Sequence, residues 1–272
     1  MPVLEHDYFF KLFSKINGEE YCNASGGISS QEKLYCLDFK DNIFDLIFLA
    51  KNQLYNNGYT HIHINPNIDI NTVRDTLTTI FGLPMIDQSG EEIATINYKL
   101  GGQYFAKTNL TQPLHTDNGH TTNAPRILVL YCQHSSKIGG ESILVSFEQI
   151  YNALNTEWSG QLEDLFDKDA IKVLNVDAEI SKNILFNLDD NRVGITYSPI
   201  LKKLEASDSV CKKFNLITQF VHNPANQIRF KLVEGDLLIV DNARMLHSRA
   251  KFPADANRLI YRIWFKDFYY VG

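Results

Sequence analysis

Two histidines and an aspartate stand close together in the stretch PLHTDNGHTT, residues 113–122. In an extended strand, residues i and i+2 point the same way, so His115 and Asp117 would present an imidazole and a carboxylate to one face. His120 lies at an odd spacing beyond a glycine, and we interpret it as a loop or pocket-wall residue. A His-x-Asp pattern is weak evidence by itself, because it occurs by chance in many chains.

His247 supplies a third candidate ligand. It follows an apolar strand and a polar break in EGDLLIVDNARMLHSRAKF, and it lies 130 residues after Asp117. Two histidines and one carboxylate are typical of the facial triad of non-haem Fe(II) oxygenases, which leaves three positions of an octahedral ion open. A bidentate 2-oxo acid fills two of these positions and O₂ the last. A zinc hydrolase with three ligands around a tetrahedral ion stays an alternative at this point.

Two arginines in NRLIYRIWF bear on that choice. Read as a strand, the segment places Arg258 and Arg262 on one face, together with Ile260 and Trp264. Buried guanidinium groups need anionic partners, and a carboxylate matches their fork geometry. The two arginines are about 13 Å apart along a strand that rises ~3.3 Å per residue, so they are predicted to bind different anions. Two structural salt bridges are the alternative.

Taken in order, the segments LHTD, GGES, GDLLIVDNARMLHSRAKF and NRLIYRIWF resemble the TauD/TfdA-type Fe(II)/2-oxoglutarate-dependent dioxygenases. That group includes taurine dioxygenase, γ-butyrobetaine hydroxylase and the clavaminate and carbapenem synthases. The resemblance covers the chain from residue 40 to residue 270. It implies a mainly β fold, the double-stranded β-helix or jelly roll, with flanking helices. It also implies Fe(II), 2-oxoglutarate as co-substrate, and O₂.

The resemblance assigns roles by motif. The metal ligands fall on His115, Asp117 and His247. The co-substrate hydroxyl, usually a threonine, falls on Ser142 of GGES, 27 residues after His115. Serine keeps the hydroxyl and should keep its hydrogen bond. The co-substrate arginine falls on Arg258, eleven residues after His247.

Residues for the main substrate are also implied. Arg262 matches a position that meets the anionic group of the substrate in taurine dioxygenase. Asn109 and Thr111 lie in the segment before the metal strand, where substrate contacts are expected, although polar turn residues are more often merely solvated. Arg244 and Arg249 flank His247, and we predict that they orient the metal strand through salt bridges.

The activity implied is the oxidation of an unactivated C–H bond of a small anionic substrate, such as an amino acid or a biosynthetic intermediate, with release of succinate and CO₂. Asp117 retains the carboxylate that related halogenases lack, which favours hydroxylation. Desaturation or cyclisation by the same site stays open, as does a non-catalytic metal-binding jelly-roll module.

Composition narrows the class of protein. The 272 residues carry 26 Lys+Arg against 32 Asp+Glu and no long basic run, so nucleic acid is a poor candidate partner. The apolar run FDLIFLA is too short to cross a bilayer, and the start MPVLEHDYFF lacks the pattern of a secretory signal. Four scattered cysteines favour free thiols in a reducing cytoplasm. The sequence leaves the oligomeric state open.

The N-terminal part is predicted to be largely helical. DNIFDLIFLAKNQLYNNG and INTVRDTLTTIFG have helical patterns, the first with Asp41 as N-cap and the second closed by Gly82. The strand YTHIHI between them carries His61 and His63 on one face. That is the spacing of a chelating pair, but we interpret the two histidines as structural.

Short strands separated by turn residues follow residue 92 and predict a sandwich or barrel. Two helices interrupt them. One begins at Ser146, whose Gln149 three residues on predicts a capping box, and the other lies near residues 207–221. We therefore expect one dioxygenase domain over residues 1–272, with a helical decoration over about 1–90 and a jelly-roll core over about 92–270.

Overall fold

The structure is a computed structural model that describes residues 3–4, 35–36, 43–102, 105–119, 121–174, 179–189, 191–199 and 204–266. Its strands are β1 (Val3–Leu4), β2 (Tyr35–Cys36), β3 (Tyr59–His63), β4 (Pro84–Met85), β5 (Ile93–Ile96), β6 (Gln112–His115), β7 (Ile127–His134), β8 (Ser142–Ser146), β9 (Ile171–Leu174), β10 (Glu179–Lys182), β11 (Leu185–Asn187), β12 (Val193–Ile195), β13 (Leu204–Ala206), β14 (Ile228–Phe230), β15 (Asp236–Asp241), β16 (Met245–Arg249) and β17 (Leu259–Phe265). Its α-helices are α1 (Ile43–Asn57), α2 (Ile70–Phe81), α3 (Phe147–Trp158), α4 (Glu163–Phe166) and α5 (Asp208–His222).

Two sheets form the centre of the fold. The larger has the strand order β2-β3-β15-β7-β17-β4, with β5 also paired to β17, and the smaller has the order β14-β8-β16-β6. Their pairings are antiparallel except for the parallel pair β2–β3. β1, β13, β9 and β10 form a further sheet, and β11 pairs with β12. This arrangement confirms the predicted jelly roll with flanking helices.

Alternation along the strands divides the core into layers. In β15 every residue is buried, with Leu238 and Val240 facing the inner layer between the two sheets, while Leu237 and Ile239 face the outer layer. Leu144 of the smaller sheet belongs to the same inner layer. A strand covered on both faces reads as a continuous apolar run, which explains the segment DLLIVD.

Helices cover both outer faces. α2 packs Val73, Leu77 and Phe81 onto the larger sheet, a spacing of four residues that keeps one helix face apolar. α3 and α5 cover the smaller sheet. The two helices of the N-terminal part are confirmed, and Gly82 ends α2 with a φ of 82°. Asp41 lies outside the described residues.

The part before residue 92 contributes more than helices, because β3 lies inside the larger sheet and pairs with β15. Its His61 and His63 each lie 2.9 Å from a carboxylate oxygen of the buried Asp236. This contact agrees with the structural interpretation of the two histidines. Ser146 is the N-cap of α3 as predicted, but the capping box is wrong, because the Ser146 side chain makes no capping hydrogen bond.

No helix within the described ranges has the length and apolar character needed to span a bilayer.

Candidate metal and co-substrate site

The register of β6 against β16 sets the two candidate histidines face to face. His115 is the Cα partner of His247. Their neighbours Leu114 and Leu246 pack on the outer face of the smaller sheet, in the cluster that includes α3 and α5, so alternation turns both imidazoles to the inner side of the sheet. Both rings are buried, with centroids 4.4 Å apart.

Asp117 joins them from outside the strand. β6 ends at His115, so the extended-strand argument for a shared face does not hold at Asp117. A side-chain amide clamps its backbone instead: Asp117 N donates to Oδ1 of Asn242 at 2.7 Å, and Nδ2 of Asn242 donates to the Asp117 carbonyl at 3.0 Å. The three side chains converge as predicted. The hydrogen bonds with Asn242 hold Asp117 in place, and strand alternation does not.

The donor atoms of this triad fit a metal ion. Oδ1 of Asp117 lies 3.1 Å from Nε2 of His115 and 3.5 Å from Nε2 of His247. Nδ1 of His115 lies 2.9 Å from the Pro113 carbonyl and donates to it, which leaves Nε2 as an acceptor. Nε2 also lies 3.0 Å from the amide nitrogen of Gln112, which can donate to it, and a cation between Nε2 and Oδ1 of Asp117 would suit two acceptors that face each other. Ligand atoms about 2.1 Å from one ion and at right angles are about 3.0 Å apart, so the spacing fits.

The protonation states also suit a cation. Burial on its own raises the pKa of the Asp117 carboxyl, but the charge of Arg262 and the two neighbouring imidazoles outweigh it and hold the pKa well below its usual range. Burial and the neighbouring His115 lower the pKa of His247. An ionised carboxylate beside a neutral His247 imidazole is the form that metal binding requires.

The second oxygen of Asp117 is engaged elsewhere. Trp264 Nε1 donates to Oδ2 at 2.7 Å, and Nη1 of Arg262 lies 3.5 Å from the same oxygen. Oδ1 is thereby the oxygen that faces the imidazoles. Strand alternation predicts Trp264 only as an apolar neighbour of the arginines and does not predict this hydrogen bond. Its position two residues after Arg262 on β17 was the available signal.

The predicted co-substrate residues lie farther along the same inner side. Ser142 begins β8, is buried, and is the Cα partner of Arg249. Arg258 is also buried and precedes β17, with its Cζ 5.3 Å from the ring centroid of Phe252. Arg249 Cζ lies 5.0 Å from the same ring. Nη1 of Arg258 is buried without a hydrogen-bond partner among the described residues.

Two buried guanidinium groups thus share one apolar pocket. Burial lowers the pKa of Arg258 to about 10. Burial and the charge of Arg258 lower the pKa of Arg249 to about 9. A bound carboxylate would offset this penalty, so the residues fit the distal carboxylate of a 2-oxo diacid.

The two arginines that flank His247 donate hydrogen bonds to backbone carbonyls. Arg249 donates to the carbonyls of Thr108 and Leu110, and Arg244 donates to those of Leu54 and Tyr55.

The predicted substrate residues fall into two groups. Arg262 stands beside the triad, between Asp117 and Asp87. The other two hold the loop before β6: Asn109 Nδ2 donates to the Phe252 carbonyl at 3.1 Å, and Lys251 N donates to Oγ1 of Thr111 at 3.2 Å. A direct substrate contact by either stays a prediction. His120 lies outside the described residues.

A jelly roll that presents two histidines and a carboxylate on its inner side defines the class of non-haem iron oxygenases. Residues 77–264 match the family described as "Taurine catabolism dioxygenase TauD, TfdA family", and the chain belongs to that family. The predicted family is therefore confirmed.

Two fungal relatives are similar in sequence. The chain is 26% identical over 172 residues to the taurine hydroxylase-like protein SAT17 of Stachybotrys chartarum, with 57% of this chain and 41% of that protein covered. It is 24% identical over 238 residues to the dioxygenase str8 of Strobilurus tenacellus, with 79% and 54% covered. The chain thus spans about half the length of these relatives or less.

Solved structures share the fold at low identity. An asparagine oxygenase in complex with Fe(II), 2S,3S-3-hydroxyasparagine and succinate has a TM-score of 0.67 at 13% identity, with 82% of this chain and 79% of that chain covered. The non-heme iron oxygenase OrfP in complex with Fe and alpha-ketoglutaric acid has a TM-score of 0.66 at 13% identity, with 82% and 80% covered.

Proposed function

We propose that the protein is an Fe(II)- and 2-oxoglutarate-dependent dioxygenase that hydroxylates an unactivated C–H bond of a small amino-acid-like substrate, with release of succinate and CO₂. The observation that carries the proposal is the pairing of a buried His-Asp-His triad with a buried guanidinium, Arg258, whose Nη1 has no partner among the described residues. A structural metal site does not require the buried guanidinium. A bound 2-oxo diacid requires the metal for its 2-oxo acid end and the guanidinium for its distal carboxylate.

His115, Asp117 and His247 would hold the iron. Loaded with Fe(II), 2-oxoglutarate and O₂, such a site supplies the oxidising power for C–H hydroxylation. The contribution of the chain is positioning: Trp264 and Arg262 fix Oδ2 of Asp117 and so leave Oδ1 for the ion.

Arg258 and Ser142 would hold the distal carboxylate of 2-oxoglutarate, with Arg249 beside them. Cross-strand pairing of Ser142 with Arg249 puts a hydroxyl and a guanidinium on one face, and both arginines are buried beside the Phe252 ring. Charge-assisted hydrogen bonds in such a poorly solvated pocket are strong, and they select a dicarboxylate over a monocarboxylate.

Arg262 would hold an anionic group of the main substrate, with Asn109 and Thr111 shaping the loop beside it. Asparagine oxygenase and OrfP are named with a hydroxylated asparagine and a hydroxylated arginine, which supports a small amino acid as the substrate class. The chain would fold as one domain, because β3 of the N-terminal part pairs with β15 inside the larger sheet. A cytoplasmic location is supported by the buried free thiols of Cys132 and Cys211.

The test is an anaerobic titration of the Fe(II)-loaded protein with 2-oxoglutarate, followed by its visible charge-transfer band. The band is expected for the wild type and absent in His247→Ala. Arg258→Met should weaken 2-oxoglutarate binding about 100-fold, because a charged partner in a buried pair is lost. Arg74→Met, which removes a guanidinium from the exposed pair with Asp75, is the matched control and should bind like the wild type.

Two outcomes would contradict the proposal. Metal bound without the band would indicate a non-catalytic metal-binding module. Hydrolytic activity that persists with zinc in the absence of oxygen would indicate a zinc hydrolase.

A further inference from the structure

Arg262 and Asp87 form a charged pair beside the metal centre, and neither is a proposed ligand of iron or of 2-oxoglutarate. Nη2 of Arg262 lies 3.3 Å from Oδ2 of Asp87, and Nη1 lies 3.5 Å from Oδ2 of Asp117. Nε of Arg262 is buried and makes no hydrogen bond within the described part of the chain. The guanidinium lies over the Trp264 ring, 4.0 Å from its centroid, which fixes its plane.

These contacts are longer than those of two other ion pairs in the same protein, Arg126–Asp241 and Lys213–Asp164. Arg126 donates two hydrogen bonds to the Asp241 carboxylate, at 2.8 and 2.9 Å, and Lys213 Nζ lies 2.6 Å from Oδ1 of Asp164. Charge-assisted bonds are normally about 2.7–2.9 Å long. Arg262 is therefore held near two carboxylates without being saturated by either, and it retains hydrogen-bonding capacity for a ligand.

Asp87 is an anion that its own turn holds in place. Its Oδ1 accepts hydrogen bonds from Ser89 N at 2.7 Å, Ser89 Oγ at 2.5 Å and Glu91 N at 3.3 Å. Burial raises the pKa of this carboxyl, but the bonds from Ser89 and Glu91 and the charge of Arg262 outweigh burial and lower the pKa overall. Oδ2 faces Arg262 and keeps acceptor capacity for a second donor.

The charges around Arg262 disfavour a simple anion as its ligand. A carboxylate or sulfonate bound there would add negative charge beside Asp87 and Asp117 in a largely buried site, where like charges repel strongly. A ligand that carries its own positive charge avoids this repulsion, because an ammonium group can bind Oδ2 of Asp87 while a carboxylate binds Arg262.

We propose that Asp87 and Arg262 form a recognition site for the zwitterionic head group of an α-amino acid. Arg262 binds the α-carboxylate and Asp87 the α-ammonium. The 3.3 Å separation of Nη2 and Oδ2 matches a ligand whose two charged groups share one carbon atom, and not one whose charges are separated by a longer chain. Because Arg262 also contacts Asp117, the bound head group stands next to the metal centre. This inference rests on the proposed function and narrows its substrate.

The test uses the full-length protein with Fe(II) and 2-oxoglutarate bound without oxygen. The probes are the proteinogenic α-amino acids, each compared with its N-acetyl and its deaminated counterpart, and with β-alanine and taurine. Binding is read from the change in the charge-transfer band, and succinate release is measured after oxygen is added. In the wild type, one or more α-amino acids should bind at least about tenfold more tightly than their counterparts.

Two variants test the binding of the α-ammonium and of the α-carboxylate separately. Asp87→Asn keeps the turn acceptor and removes the charge, so it should abolish the preference for the free amine and bind the deaminated acid at least as tightly as the wild type does. Arg262→Gln should weaken both. Asp75→Asn, which neutralises the carboxylate of the exposed pair with Arg74, is the matched control and should behave as the wild type. Thermal melting of each variant checks that it is folded.

The proposal is overturned if the wild type responds to no α-amino acid, if it prefers deaminated, acetylated or longer-chain compounds, or if Asp87→Asn binds amino acids as tightly as the wild type. These failures differ from a failure of the proposed function, in which the charge-transfer band does not form at all.

Discussion

The two oxygens of Asp117 have separate partners, and this separation decides how the carboxylate can bind an ion. Oδ1 faces Nε2 of His115 and Nε2 of His247, while Oδ2 accepts the indole hydrogen bond of Trp264. Partners of this kind orient a metal ligand and tune its affinity. We therefore assign Trp264 as a positioning residue that keeps Asp117 from turning its second oxygen towards the ion.

Trp264→Phe is expected to weaken Fe(II) binding about tenfold, because the ring is kept and only the N–H donor to Asp117 is lost. Anaerobic metal titration measures the change. Trp158→Phe is the matched control: the Lys213 ammonium lies over the Trp158 ring on the outer face of the smaller sheet, so this change should leave metal affinity unchanged. Equal Fe(II) affinity in both variants would refute the role of Trp264.

At the scale of elements, the connection between β7 and β8 lies beside Arg258, the residue proposed to bind 2-oxoglutarate. Gly139 and Gly140 have φ values of 66° and 76°, a region that favours glycine. A Cβ on Gly139 would lie 2.1 Å from the Lys251 carbonyl, and one on Gly140 would lie 3.3 Å from Nε of Arg258. The glycines predicted as a simple hairpin turn thus also leave room for the arginine.

Gly140→Ala is expected to weaken 2-oxoglutarate binding, because the new methyl group presses on Arg258. Gly90→Ala is the control, since Gly90 has a φ of 85° but no atom within 4 Å of an added Cβ. Both variants should lose about 1–2 kcal/mol of unfolding free energy from backbone strain, measured by denaturant unfolding. The structural role fails if the two variants bind 2-oxoglutarate alike.

At the scale of the whole molecule, the site is assembled between the two central sheets. The triad belongs to β6, β16 and the turn after β6, all on the smaller sheet, whereas Arg262 and Trp264 come from β17 of the larger sheet. The inner apolar layer, with Leu144 and Ile260, joins the same sheets. Metal binding should therefore stabilise the packed molecule as well as the loop that carries Asp117.

Added Fe(II) is expected to raise the melting temperature under anaerobic conditions. At a metal concentration 100 times the Kd, binding to the folded state alone contributes about 2.7 kcal/mol. For a chain of this size that corresponds to a shift of about 5 °C. His247→Ala should show no shift, and His134→Ala, which alters an exposed pair with Glu234, should shift as the wild type does. An equal shift in His247→Ala would contradict the assigned triad.

The elements were largely predictable because their patterns are local. The helical period over residues 70–81 and the short, mainly apolar runs of β7, β15 and β17 depend on neighbours a few residues away, and the structure confirms them. The capping box at Ser146 failed because a cap depends on the rotamer of one side chain as well as on its sequence spacing.

The sequence by itself determined the chemical types at the site: two imidazoles, one carboxylate and two arginines at strand spacing. Only the tertiary structure decided which other groups surround them. Trp264 reaches Asp117 across 147 residues, and Asp87 reaches Arg262 across 175. Such contacts follow from how β17 pairs with its neighbours and from the turn at Asp87, and no periodicity of the chain encodes a distance between side chains so far apart in sequence.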